Sequence, residues 1–152
     1  MSAAPTERVV LLLSGPNLNL LGQREPEIYC TQTLDDHVAS ATEAAARHGL
    51  RVEHVQSNHE GDLIDAVHRA RATASAIVIN PGALTHYAWS LHDALAAFDG
   101  PVIELHLSNP DAREAWRHTS VITPVASGCI AGLGGLGYRL AVEAVAELLP
   151  GR

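Results

Sequence analysis

Three features of the chain predict an α/β fold with a parallel sheet. Apolar, strand-like runs alternate with helix-periodic segments, the pattern of parallel strands joined by right-handed crossovers. The first run, residues 8–13 (RVVLLL), is apolar without alternation, as expected of a central strand covered on both faces. The runs at 8–13, 75–79 and 101–106 all lead into polar clusters, the usual place for ligands beyond the carboxyl ends of parallel strands.

The elements follow in order. Strand 8–13 breaks at Ser14-Gly15-Pro16 and opens into a polar loop carrying Asn17, Asn19, Arg24 and Tyr29. Thr33 is a good N-cap, with Asp35 and Asp36 in the first turn. Leu34, Val38, Ala41 and Ala45 then share a helical face, and Gly49 stops the helix. Residues 51–56 (RVEHVQ) read as a second strand, and Leu63, Val67 and Ala70 mark a second helix. Residues 75–79 (SAIVI) are a buried strand stopped by Asn80-Pro81-Gly82. Thr85 is read as the cap of a third helix whose face is Leu91, Leu95 and Phe98. Residues 101–106 (PVIELH) are a fourth strand. Asn109-Pro110-Asp111 is a helix start, which puts Arg113 and Arg117 four apart on one face of a short helix. Residues 127–133 are a fifth strand, and Tyr138, Val142, Val145 and Leu149 stripe a closing helix. Five strands in 152 residues fit a single domain with its core at about 8–149. They suit a flavodoxin-like three-layer sandwich in strand order 2-1-3-4-5.

Composition narrows the function. Hydrophobic residues make up 47% and charged residues 18%, ordinary for a globular protein. No run reaches the ~20 apolar residues of a membrane span, and no signal-peptide pattern is visible, so a cytoplasmic protein is expected. A net charge of −7 argues against nucleic-acid and anionic-membrane partners. Cys30 and Cys129 make no disulfide framework. All ten basic residues are arginine, which excludes a Schiff-base lysine, a pyridoxal-phosphate lysine and a Walker-type phosphate loop.

In the order 2-1-3-4-5, strands 1, 3 and 4 are adjacent, so three distant loops converge on one rim. Glu104 and His106 are two apart on a strand and face the same side. A carboxylate there fixes the imidazole tautomer and makes His106 a candidate general acid, although an isolated E-x-H also suits a histidine that only solvates the rim. Arg24 near Tyr29 favours the phenolate, so Tyr29 is a candidate base. Half-ionisation near pH 7 requires the phenol to titrate about 3 pH units below its free value of about 10. One close arginine lowers it by about 1–3, which makes Arg113 interesting as a second partner. Residues 132–137 (GLGGLG) match a dinucleotide fingerprint, but no strand with an acidic end follows, and close helix–sheet packing is expected instead. Glu104, His106 and His86 could suggest a metal, but they lack the compact spacing of zinc sites.

The blocks GPNLNLLGQREPEIY, QSNHEG, INPGALTH and ELHLSNPDAREAWRHTS together resemble the type II 3-dehydroquinate dehydratases, from about residue 8 to 149. The resemblance implies a hydro-lyase that converts 3-dehydroquinate to 3-dehydroshikimate in the shikimate pathway or in quinate breakdown. It also implies a flavodoxin-like fold and a homo-dodecamer built as a tetramer of trimers. No cofactor or metal is expected. Tyr29 matches the family base, Arg24 the lid arginine, and Asn17 the holder of a water at the enolate oxygen. His106 matches the acid, with Glu104 as its orienter. Asn80, His86 and Arg117 match substrate-binding positions, a set to which Arg113 is added. The Leu107 and Ser108 backbone amides match the carboxylate cradle. Asp93 matches a residue that reaches a neighbouring subunit's site. Cys30, Tyr87, Trp89, Asp111 and Leu136 depart from the usual pattern without removing a catalytic group.

Overall fold

The computed structural model describes residues 6–23, 27 and 31–151. The first apolar run forms β1 (Arg8–Ser14), and its side chains divide between two cores, as the alternating geometry of a strand requires. Val10 and Leu12 join Leu34, Ala41, Tyr138 and Val142 on one face. Leu11 and Leu13 join Leu63, Val67, Leu91 and Leu95 on the other. Burying each of the valine and leucine side chains among them contributes roughly 1.5–3 kcal/mol.

The remaining strands are β2 (Leu50–Gln56), β3 (Ala76–Asn80), β4 (Val102–His106) and β5 (Gly128–Ala131). Every pairing is parallel and the order is β2-β1-β3-β4-β5, the flavodoxin-like order expected from the alternation. Helices α1 (Leu34–Ala46) and α4 (Leu136–Leu148) cover one face. Helices α2 (Glu60–Thr73) and α3 (Trp89–Ala96) cover the other. Among the described residues, no helix is long and apolar enough to cross a membrane.

Thr33 caps α1 as its position suggests. Its hydroxyl accepts from the Asp36 amide at 3.2 Å, and its own amide donates to the Asp36 carboxylate at 2.9 Å. This reciprocal box satisfies two orphan amides and stabilises the helix by about 1 kcal/mol. Gly49, at φ +68°, lets the chain turn from α1 into β2.

Two local expectations are corrected. Thr85 does not cap a helix: it lies in a 3-10 turn, Gly82–His86, and α3 starts later with Ala88 as its N-cap. The Thr85 hydroxyl is drawn instead to the Glu104 carboxylate, a charged acceptor and therefore a stronger partner. Arg113 and Arg117 do not share a helical face. The segment forms two separate 3-10 turns, Pro110–Ala112 and Ala115–Arg117, with Arg113 extended between them. Asn109 does cap the first turn, accepting from the Asp111 amide at 3.1 Å, but the turn is not propagated.

A buried imidazole gives the fold a pH signature. His37 of α1 is 2% exposed and stacks on Tyr138 of α4, with ring centroids 4.9 Å apart. Its Nε2 has no hydrogen-bond partner among the described residues. Burial lowers its pKa below 6.5, against the smaller opposing pull of Asp36. The unfolded chain therefore binds a proton at His37 before the folded chain does. This contribution to stability is complete above about pH 6.5 and declines as pH falls through the folded pKa. Urea unfolding of the wild type and His37→Phe between pH 8 and 5.5 measures this. The phenylalanine variant is expected to lose less stability on acidification, and equal pH slopes would remove the assignment.

Candidate active site

The site forms where the strand order reverses, beyond the carboxyl ends of β1 and β3. Ser14 and Asn80 are register partners there, and the Gly15 amide donates to the Asn80 carbonyl at 2.8 Å. A Cβ at residue 15 would stand 2.5 Å from the Pro81 carbonyl oxygen, so only glycine lets the two loops meet this closely. The next turn places Asn17 at φ +69°, the one non-glycine positive φ among the described residues. Asparagine tolerates that conformation better than most residues. Asn58 holds it there, accepting from the Asn17 amide at 3.0 Å and from Gln56 Nε2 at 3.2 Å. Gln56 also donates to the Gly15 carbonyl at 3.2 Å.

These loops and the exit of β4 enclose a cavity of about 170 Å³. Its lining includes Asn17, Asn80, His86, His106, Leu107, Ser108 and Arg117. Asn80 is buried, donating to the Tyr138 hydroxyl at 3.4 Å and accepting from the Gly82 amide at 3.3 Å. Burial pushes that tyrosine up to about 12 despite its hydrogen bonds with Asn80 and Ser14, so Tyr138 stays a neutral phenol. His86 Nδ1 donates to the Thr119 carbonyl at 2.7 Å, which leaves Nε2 as its second ring nitrogen for a ligand. Its ring stands edge-on to Trp116, over which the Arg117 guanidinium lies at 4.0 Å. Arg117 is further steadied by Glu114 at 2.5 Å.

The centre of the site is the Glu104–His106 pair. Glu104 is 0% exposed, and its Oε2 is 2.6 Å from His106 Nε2. Thr85 donates to Oε2 at 2.7 Å, Thr123 to Oε1 at 2.5 Å, and Ser120 lies within 2.9 Å of Oε2. Burial by itself would raise the carboxyl, but hydrogen bonds from His106, Thr123 and Thr85 outweigh it. They hold the carboxyl at about 2, with the His106 charge adding to them. Glu104 is therefore ionised at neutral pH and can only accept. His106 Nε2 is the donor, and Nδ1 is the nitrogen left to exchange a proton. An imidazole oriented in this way by a buried carboxylate can act as a general acid or base.

A model of the dehydroquinase class II family matches residues 8–146 of the chain. The chain belongs to this family. It is an enzyme, a hydro-lyase. It is 58% identical over 139 residues to a 3-dehydroquinate dehydratase of Corynebacterium glutamicum, covering 91% of this chain and 96% of that one. The crystal structure of type II dehydroquinase from Propionibacterium acnes superposes with a TM-score of 0.87 at 44% identity, covering 92% and 97% of the two chains. That from Butyrivibrio crossotus gives 0.88 at 42% identity, covering 91% and 97%.

The structure brings most of the sequence-predicted residues together, with exceptions. Arg24 and Tyr29 lie outside the described residues. Asp93, on α3, is 82% exposed and does not line the cavity; it pairs with His92 at 3.0 Å. Arg113 is not on the lining either, but it supports the site by donating to Ser108 Oγ at 3.2 Å. The glycine-rich stretch serves packing and turns. A Cβ at residue 137 would stand 2.6 Å from Leu105 Cδ1, so glycine lets α4 close onto β4. Gly132 and Gly134 donate to the carbonyls of His106 and Leu107, fixing the exit of β4. Among the described residues, no three His, Cys, Asp or Glu side chains converge as metal ligands. Sequence reasoning missed Asn58, Thr85, Ser120 and Thr123. Asn58 stands in the QSNHEG block, but nothing local announces that a hydroxyl will find a carboxylate 16 to 19 residues away.

Proposed function

We propose that the chain dehydrates 3-dehydroquinate to 3-dehydroshikimate in the shikimate pathway, by anti elimination through an enolate. The observation that carries this reading is the cavity itself. Two amides, two histidines and an arginine converge there, with an ionised carboxylate behind one histidine, in a chain of the dehydroquinase class II family.

The Tyr29 phenolate, supported by Arg24, takes the proton from C2 beside the ketone. The electron pair moves into the C–O bond, and a water held by Asn17 stabilises the enolate oxygen. The enolate then reforms the ketone and expels the hydroxyl, to which His106 passes a proton from Nδ1. Water and a conjugated enone leave. Glu104 stabilises the imidazolium before transfer. Asn80, His86, Arg117 and the Leu107–Ser108 backbone bind the hydroxyls and carboxylate of the substrate. With no lysine in the chain, enolate stabilisation rests on these preorganised donors and not on an imine. The increase in ultraviolet absorbance of the enone on adding 3-dehydroquinate to purified protein tests the proposal. Absence of that signal from folded protein would refute it.

Assembly is part of the same reading. Tyr87 and Trp89 are 62% and 63% exposed beside Asp93 at the start of α3, an apolar edge suited to a subunit contact. A homo-dodecamer, built as a tetramer of trimers, covers that edge and brings Asp93 to a neighbouring cavity. Sedimentation at micromolar concentration is expected to show a species well above a dimer, and a monomer would sink the assembly.

A further inference from the structure

We propose that Thr85, Ser120 and Thr123 form a hydroxyl cage that locks the Glu104 carboxylate in one orientation and thereby fixes the Nε2–H tautomer of His106. They are positioning residues, acting on the reaction through Glu104 and His106. The catalytic consequence rests on the proposed role of His106 as acid.

Proton counting carries the inference. A hydroxyl has one proton and two lone pairs. Ser120 Oγ accepts from the backbone amides of Ile122 and Thr123, each at 3.0 Å, so both lone pairs are filled and it must donate. Its proton points to Glu104 Oε2 at 2.9 Å or to Thr85 Oγ1 at 2.7 Å. Thr85 in turn gives its own proton to Glu104 Oε2. Thr123 gives its proton to Oε1. Every hydroxyl proton in the cluster therefore runs toward the carboxylate. The ionised carboxylate can only accept, and with these protons directed at both of its oxygens His106 is left to present Nε2–H to it at 2.6 Å. Donors on both oxygens also prevent the carboxylate from turning about its last bond. The three hydroxyls come from two separate segments: the turn of Thr85 also carries the cavity residue His86, and residues 120–123 follow the Thr119 carbonyl that anchors His86. The cage thus couples the acid to the wall of the cavity that binds the ligand.

The test pairs Thr123→Val and Thr85→Val, which remove a hydroxyl and keep the shape, with Thr123→Ser and Thr85→Ser, which keep the hydroxyl. Thr123 is exposed, so its valine variant does not disturb the core. Nitrogen-15 spectra of His106 report the tautomer directly, and steady-state kinetics separate kcat from KM. In the neutral form of His106 the wild type is expected to show the Nε2–H tautomer alone, the proton at Nδ1 being the one exchanged with the ligand. Each valine variant is expected to show a mixture, with kcat down about 10-fold, the scale of one hydrogen bond to a charged group, and KM little changed. The serine variants restore both readouts. Folded valine variants with the wild-type tautomer and wild-type kcat would overturn the cage. A mixed tautomer with unchanged kcat would uphold the cage and remove His106 as the acid.

Discussion

His106→Ala is expected to lower kcat by about 100-fold or more, and Tyr29→Phe to do the same, the usual scale for a lost general acid or base. The two substitutions act on different steps. Alanine at 106 leaves the departing hydroxyl without a proton donor and leaves the ionised Glu104 facing an empty space. Phenylalanine at 29 removes the base that generates the enolate, and Arg24→Ala approaches the same loss by withdrawing the charge that favours the phenolate. Because neither group is assigned to ground-state binding, KM should change less than kcat in both variants. Stopped assays of enone formation with each purified variant provide the measurement. A His106→Ala enzyme with near-native kcat would transfer the acid role elsewhere, and a fully active Tyr29→Phe enzyme would remove the base assignment.

The second large effect is expected at Glu104, where function and stability meet in one side chain. Glu104→Gln places an amide NH2 among groups that donate to the native carboxylate, so at least one contact turns from attraction to repulsion. His106 loses the carboxylate that fixes its tautomer and supports its charge. A drop in kcat on the order of 100-fold or more follows, the scale of a general acid–base group that no longer works. Stability falls by about 1–3 kcal/mol, the scale of a buried polar group left unpaired. The pH dependence changes as well. The folded carboxyl titrates at about 2, below its usual value of 4.5. Its contribution is therefore fully present above about pH 4.5 and is lost as pH falls toward 2. The difference corresponds to a contribution on the order of 3 kcal/mol. Acid unfolding followed by circular dichroism should show a transition that is steeper in the wild type than in Glu104→Gln. Identical acid transitions, or a glutamine variant with native kcat, would separate Glu104 from both roles.

The chain sequence by itself determined the sheet, because the signals for it are local. The unbroken apolar run at 8–13 requires two covered faces, and the structure covers both. Thr33 with Asp36 spells a cap within four residues, and it forms. Most strand ends moved by only a residue or two, as fraying boundaries do. The rim of the site was legible for the same reason: strand order places the loops after β1, β3 and β4 side by side, and Asn17, Asn80, His86 and His106 lie in or next to those loops.

What only the tertiary structure decided is where a polar group goes when several partners are within reach. Thr85 looked like a helix cap because a cap needs nothing beyond its own neighbours, but folding brings it to a buried carboxylate. Arg113 and Arg117 looked like one helical face because a spacing of four suggests a helix. The segment folded as two short turns, and the arginines parted to Ser108 and to the ring of Trp116. Ser120 and Thr123 carried no local signal, since their acceptor is 16 and 19 residues away in the chain. Periodicity records which side of an element is apolar. It holds no record of which donor will meet Glu104, because that pairing exists only after β4 and the 119–123 segment have packed together.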